Sequence, residues 1–120
     1  MKTIINGYIK MNNEAVMNIL VKPLTMISAI DYQTGAVVSK QLLKKGTGNV
    51  TLQAFDKNET LNENTFSYDI LIYVLEGTID LRVNGTTNLL KAGEYFVLPS
   101  KTAHIIGSKE KTKILSVVIK

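Results

Sequence analysis

An all-β fold is predicted for this chain of 120 residues, and three features predict it. From Ala36 onward, short apolar and β-branched runs follow one another with turn residues between them, the spacing of a β-sandwich or barrel. Ile79, Leu81 and Val83 alternate with Thr78, Asp80 and Arg82, the period of a strand with one buried face. Asn84-Gly85 then joins two such runs, and Asn-Gly supplies the positive φ that a type I′ hairpin turn needs at both central positions. After residue 36 the chain has no long helical pattern between strands, which a βαβ fold would require.

The elements follow in order. Ala36 to Lys44 reads as a strand, Gly46-Thr47-Gly48 as a turn, and Asn49 to Asp56 as the next strand. Asp56 to Ser67 is polar and reads as a loop with room for one short strand. Asp69 to Leu75 is a near-continuous apolar run, short enough to be a buried strand. Glu76-Gly77 breaks it, and Thr78 to Val83 and Thr86 to Lys91 form the hairpin around Asn84-Gly85. Ala92-Gly93 turns the chain into Glu94 to Leu98, which Pro99 ends. Thr102 to Ile106 and Lys113 to Ile119 are the last strands, separated by the charged turn Lys109-Glu110-Lys111. The total is about eight short strands, with residues 36–120 as one domain. Residues 1–35 read as an arm packed on the barrel or on a partner subunit. In it Thr3 to Lys10 can form a strand, Asn13 can cap a short helix through Glu14 to Leu20, and Leu24 to Ile30 admits one helical turn or two.

Composition narrows the function. Hydrophobic residues make up 45% and charged residues 20%, as in ordinary globular domains. The absence of cysteine excludes disulfides and thiolate chemistry and fits a reducing compartment. No secretory leader is visible, since the apolar stretch Ala15 to Val21 is short and broken by Asn18. No run reaches the length of a membrane span, so a cytoplasmic location without membrane attachment is expected. The net charge of +4 comes from dispersed lysines, and Arg82 is the only arginine. A nucleic-acid reader usually concentrates its basic residues and interleaves aromatics, so no nucleic-acid partner is expected.

Two motifs carry a family resemblance. Tyr73-Val74-Leu75-Glu76-Gly77, Leu90-Lys91-Ala92-Gly93-Glu94 and Val97-Leu98-Pro99, followed by His104, resemble a small single-domain cupin over Val37 to Ile119. The resemblance implies a double-stranded β-helix, or jelly-roll, barrel over residues 36–120. In the second cupin motif Gly93, Pro99 and His104 match, whereas Lys101 stands for the second glycine and Ser108 for the asparagine. In the first motif only Gly77 matches. Asn58 takes the opening glycine position, Asn64 and Phe66 the two histidine positions, and Ile70 the glutamate position.

The resemblance further implies that Asn64, Phe66, Ile70 and His104 face a common cavity, and period two adds Ile72 and Val74 to the face of Ile70. The expected pocket is apolar, with one imidazole and one amide, the usual anatomy of a small-molecule site. A metal centre generally needs three protein ligands, and the chain has one histidine in all. No tightly bound metal is expected, and His104 and Asn64 are weak candidates for holding a divalent cation. Glu63 and Asp69 are expected to turn away from the interior by strand alternation. His104 is the candidate catalytic residue, as a general base or orienting donor, against the plainer reading of a hydrogen-bonded core histidine.

Three functions stay open at this point. The leading one is a metal-free cupin that binds a small, largely apolar molecule. The second is a small metal-dependent cupin enzyme (isomerase, dioxygenase or decarboxylase-like) using His104. The third is a structural or interaction role as a β dimer. A homodimer is expected, since small cupins commonly pair and the arm offers an edge strand.

Overall fold

The computed structural model describes residues 2–5, 8–11, 23–63 and 67–120. The strands are β1 (Lys2–Ile5), β2 (Tyr8–Met11), β3 (Val37–Lys45), β4 (Gly48–Phe55), β5 (Thr60–Glu63), β6 (Asp69–Glu76), β7 (Thr78–Val83), β8 (Thr86–Lys91), β9 (Tyr95–Leu98), β10 (His104–Ser108) and β11 (Thr112–Ile119). The helical turn expected within Leu24 to Ile30 is a 3₁₀ turn, Ile27–Ala29. Thr3 to Lys10 is not one strand: β1 and β2 pair antiparallel, Ile5 opposite Tyr8. The helix expected over Glu14 to Leu20 lies outside the described residues. Among the described residues no helix is long and apolar enough to cross a membrane.

Two antiparallel sheets build the barrel. One has the order β5-β10-β7-β8, the other β3-β4-β11-β6-β9. Their inner faces meet in one core. Ile79, Leu81, Leu90 and Ile106 come from the first sheet; Phe55, Ile70, Ile72, Val74, Leu98, Ile114 and Val118 come from the second. Burying each of these side chains contributes roughly 1.5–3 kcal/mol. The alternation read from Thr78 to Val83 is the one observed, with Ile79 and Leu81 fully buried.

Local geometry explains the turns. Asn84 and Gly85 have φ of 50° and 80°, as a type I′ hairpin requires. Gly77, at φ 84°, turns the chain from β6 in one sheet to β7 in the other. A Cβ there would overlap the Lys111 carbonyl oxygen and Thr112.

The five-stranded sheet also has a second, outer core. Leu52, Ala54, Val38, Leu42, Leu75 and Leu115 pack with Ile30, Ala29 and Tyr32. The segment before β3 therefore lies as a strap across part of this outer face. Register irregularities in β3, between Gln41 and Leu43, and opposite Lys113/Ile114 in the β6–β11 pairing adapt the sheet to it. A bulge places two consecutive residues on one side, so Leu75 reaches the outer core while Glu76 accepts the Tyr32 hydroxyl at 2.6 Å. Lys113 is buried here. Its Nζ donates to the Ile27 carbonyl at 2.5 Å, lies 3.9 Å from Glu76 Oε2 and sits 5.0 Å from the Tyr32 ring centroid. Lys40 donates to the Ala29 carbonyl at 2.9 Å.

Candidate functional site

His104 opens β10, between β5 and β7. It pairs with Val83 on one side and with Glu63 on the other. Only 3% of it is exposed. Its Nδ1 lies 3.2 Å from the Thr102 carbonyl oxygen. A carbonyl can only accept, so Nδ1 is the donor of this contact. The chain thereby orients the imidazole through its own backbone two residues earlier.

Ile70 and Ile72 lie on the inner face of β6 and belong to the central core, as does Val74. Strand β6 begins at Asp69 and runs away from the end of the barrel at which β5 stops at Glu63 and β10 starts at His104. His104 and Ile70 are thus placed at the same end. Asn64 and Phe66, which resemblance adds to this pocket, lie outside the described residues. Asp69 is exposed and accepts the Ser100 amide at 2.8 Å, so it turns away from the interior as expected. Leu61 on β5 packs on the core, and position 63 of the same strand is the direct partner of His104.

The register shows a further set of inner-face residues that the sequence reading did not single out. Across the five-stranded sheet, Gln41, Thr51, Ser116, Ile72 and Phe96 are successive neighbours in one row. The row on one side is Ser39, Gln53, Ile114 and Val74, and on the other Lys44, Asn49, Val118, Ile70 and Leu98. Each row runs from hydrogen-bonding side chains on β3 and β4 to apolar ones on β6 and β9. Gln53 Nε2 donates to Ser39 Oγ at 3.2 Å, and Thr51 Oγ1 donates to Asn49 Oδ1 at 3.4 Å. The polar half coincides with the β3 edge of the sheet, where among the described residues β3 is hydrogen-bonded to β4 alone. Ser39, Gln41, Thr51 and Gln53 are accordingly exposed or half-buried. The signal was present as alternation of Ser39 and Gln41 against Val38, Lys40 and Leu42, and of Thr51 and Gln53 against Leu52 and Ala54.

Two of the motif positions have a left-handed backbone. Asn58 and Lys101, which stand where the motifs have glycine, have φ of 62° and 63°. Ser108, in place of the motif asparagine, is buried and clamps the loop after β4. Its Oγ donates to the Asp56 carbonyl at 2.6 Å and accepts the Glu59 amide at 3.0 Å.

The donors present do not fit a family-type metal centre. The glutamate position is Ile70, buried in the apolar core, and no three His, Cys, Asp or Glu side chains come together among the described residues. No catalytic step through a metal is derived.

A jelly-roll barrel with the second-motif histidine at one end defines a cupin-type protein. The Cupin domain family model matches residues 46–118, and the chain belongs to that family. Solved structures agree on the fold. A conserved protein of unknown function from Streptococcus pyogenes is 20% identical, with a TM-score of 0.79, covering 83% of this chain and 88% of that one. A cupin superfamily protein from Desulfitobacterium hafniense is 22% identical, with a TM-score of 0.79 and coverage of 82% and 91%. A Cupin 2 conserved barrel domain protein from Leptotrichia buccalis is 33% identical, with a TM-score of 0.75. There the match covers 78% of this chain but 46% of that one. No curated protein matches the chain.

Proposed function

We propose that this cupin binds a small molecule with an apolar body and an oxygen-bearing polar end, and that it does so without a tightly bound metal. The observation that carries the reading is the inner row Gln41–Thr51–Ser116–Ile72–Phe96, which changes from amide and hydroxyl to hydrocarbon along one line. Such a surface orients an amphipathic ligand, since an amide or hydroxyl left unpaired on burial costs about 1–3 kcal/mol while the apolar half gains from contact with hydrocarbon. Ile70, Ile72 and His104, with Asn64 and Phe66 by resemblance, form the rest of the wall in this reading. His104 acts as an orienting group beside them.

Thermal unfolding in the presence of a series of short-chain carboxylic acids, alcohols and amides tests this. A ligand at about 100 times its Kd adds about 2.7 kcal/mol to stability, a rise of several degrees. The expected result is a saturable rise for at least one class, lost in Gln41→Leu/Thr51→Val, with the same preparation free of stoichiometric transition metal. No rise across the series, or one that the double variant leaves intact, overturns the assignment.

A further inference from the structure

We propose that the outer face of the four-stranded sheet binds a small zwitterion whose two charged ends are joined by a short hydrocarbon chain, the ammonium at Asp80 and the carboxylate at Arg82. Ile79, Leu81, Leu90 and Ile106 take the inner face of this sheet, so alternation turns their neighbours outward. Register sets the outward residues in two adjacent rows: Thr60, Gly107, Asp80 and Leu89, then Asn62, Ile105, Arg82 and Thr87. Each row holds a hollow. The first, of about 260 Å³, has Glu59, Thr60, Asp80, Gly107 and Lys109 in its wall. The second, of about 210 Å³, has Asn62, Arg82, Asn84 and Ile105 in its wall and no carboxylate. Gly107 makes the floor of the first. A Cβ there would stand 3.6 Å from its nearest neighbour, Thr60 Cγ2, so the floor is space that a side chain could fill.

The two hollows are opposite in chemistry, and their charged groups are uncommitted. Asp80 Oδ1 is buried and has no hydrogen-bond partner among the described residues. A buried acceptor without a donor is costly, and an alkylammonium supplies the donor. Glu59 and Asp80 set two carboxylates against the ammonium of Lys109 in this wall, which favours a cation. Arg82 is the only arginine in the chain, is exposed, and forms no ion pair among the described residues. Its planar fork suits a carboxylate in a way that lysine does not reproduce, and Asn62 and Asn84 bring side-chain amides beside it. Asp80 and Arg82 stand two positions apart on one face of β7, about 7 Å. That span is too wide for an α-amino acid, whose charged groups share one carbon, and suits an ω-amino acid. Ile105, next to Arg82 in its row, offers hydrocarbon for the chain between the ends. The site lies outside the barrel and does not depend on the inner rows.

Titrating the full-length, nitrogen-15-labelled protein with 5-aminopentanoate, followed by amide chemical shifts, tests the assignment. Saturable shifts are expected at Thr60, Asp80, Arg82 and Gly107. Pentylamine and pentanoate each carry only one of the charges and should bind about tenfold more weakly or worse, as the zwitterion should to Asp80→Asn and to Arg82→Gln. Gly107→Ala, at a position with no left-handed φ and room for the methyl, should weaken binding by filling the floor while the urea midpoint holds. Where a variant lowers the midpoint, the two single-charge probes on the native chain carry the comparison instead. Three outcomes overturn the proposal. These are no saturable shift at millimolar probe; an equal response to pentylamine or pentanoate, which denotes a lone ion pair; or shifts confined to Gln41, Thr51 and Ser116, which place the probe inside the barrel.

Discussion

Replacing Ser108 by alanine isolates how the second motif holds the loop between β4 and β5. The hydroxyl donates to the Asp56 carbonyl at 2.6 Å and accepts the Glu59 amide at 3.0 Å. Two backbone bonds, Asn58 N–H to the Ser108 carbonyl and Ser108 N–H to the Glu59 carbonyl, both 2.9 Å, survive the change. The variant therefore loses two hydrogen bonds, each worth about 1 kcal/mol net, and leaves the Glu59 amide short of an acceptor, for which the range is about 1–3 kcal/mol. Glu59 is half-buried, so water recovers part of that penalty and the expected total is about 2–3 kcal/mol. With an unfolding entropy of roughly 2.1 cal/mol/K per residue, a chain of this length loses about 4 °C of melting temperature for each kcal/mol. The predicted drop is about 8–12 °C, read by circular dichroism and checked by the urea midpoint at constant m. Ser39→Ala is the control, because the Ser39–Gln53 bond is exposed, and it should cost under about 0.5 kcal/mol. If Ser108→Ala falls in that same small range, the hydroxyl does not clamp the loop and the reasoning fails.

Gly77→Ala should be the most damaging glycine substitution in the β6–β7 turn. It combines a left-handed φ of 84° with overlap on the Lys111 carbonyl, about 3–5 kcal/mol together. Gly35→Ala, at φ 68° with open space around it, should cost only about 1–2 kcal/mol, and equal urea midpoints for the two variants would contradict the steric argument. The Tyr32 phenol is pushed well above its ordinary range, first by burial and then by its hydrogen bond to Glu76 and the charge of that carboxylate. The folded state thus holds the proton after the unfolded chain has released it near pH 10. The linked stability is complete below that pH and falls as pH rises above it. Urea midpoints at pH 9 and 11 should show a steeper alkaline loss for the native chain than for Tyr32→Phe, and identical slopes would remove Tyr32 as the cause.

Much of the barrel was legible because its signals are local. Asn84-Gly85 encodes its turn in two residues, and Ile79, Leu81 and Val83 declare their buried face by period alone. An arm packed on the barrel or on a partner was expected, but the face that the strap covers was not legible in the same way. Val38, Leu42, Leu52, Leu75 and Leu115 sit on strands whose two faces are both used, one against the central core or its polar edge and one against Ile30 and Tyr32. Period two then shows alternation without saying which side is inside. The amphipathic inner row has the same origin. Gln41, Thr51 and Ser116 are 75 residues apart at the extremes, and only strand register makes them neighbours. Leu61 on the core and position 63 opposite His104 likewise follow only from the pairing between β5 and β10.

Two motif positions that carry no glycine still adopt a left-handed backbone, and this separates shape from chemistry in the fold. A left-handed residue other than glycine costs roughly 1–2 kcal/mol, least for Asn, whose short side chain can hydrogen-bond locally. Asn58 and Lys101 both adopt that conformation at positions where the motifs have glycine. The turns that precede β5 and β10 therefore keep their path without the residue best suited to it. Lys101 lies three residues before His104 and Asn58 two before β5, so these two turns set the starting points of the strands that pair His104 with position 63. The ligand positions carry no such geometric demand. Ile70 occupies the glutamate position and is satisfied by the apolar core alone. A barrel of this kind can hold its histidine in place through turns and register while its interior chemistry is free to be hydrocarbon on one side and amide and hydroxyl on the other. That separation is why the fold is that of a cupin while the proposed binding surface is read from this chain's own inner rows.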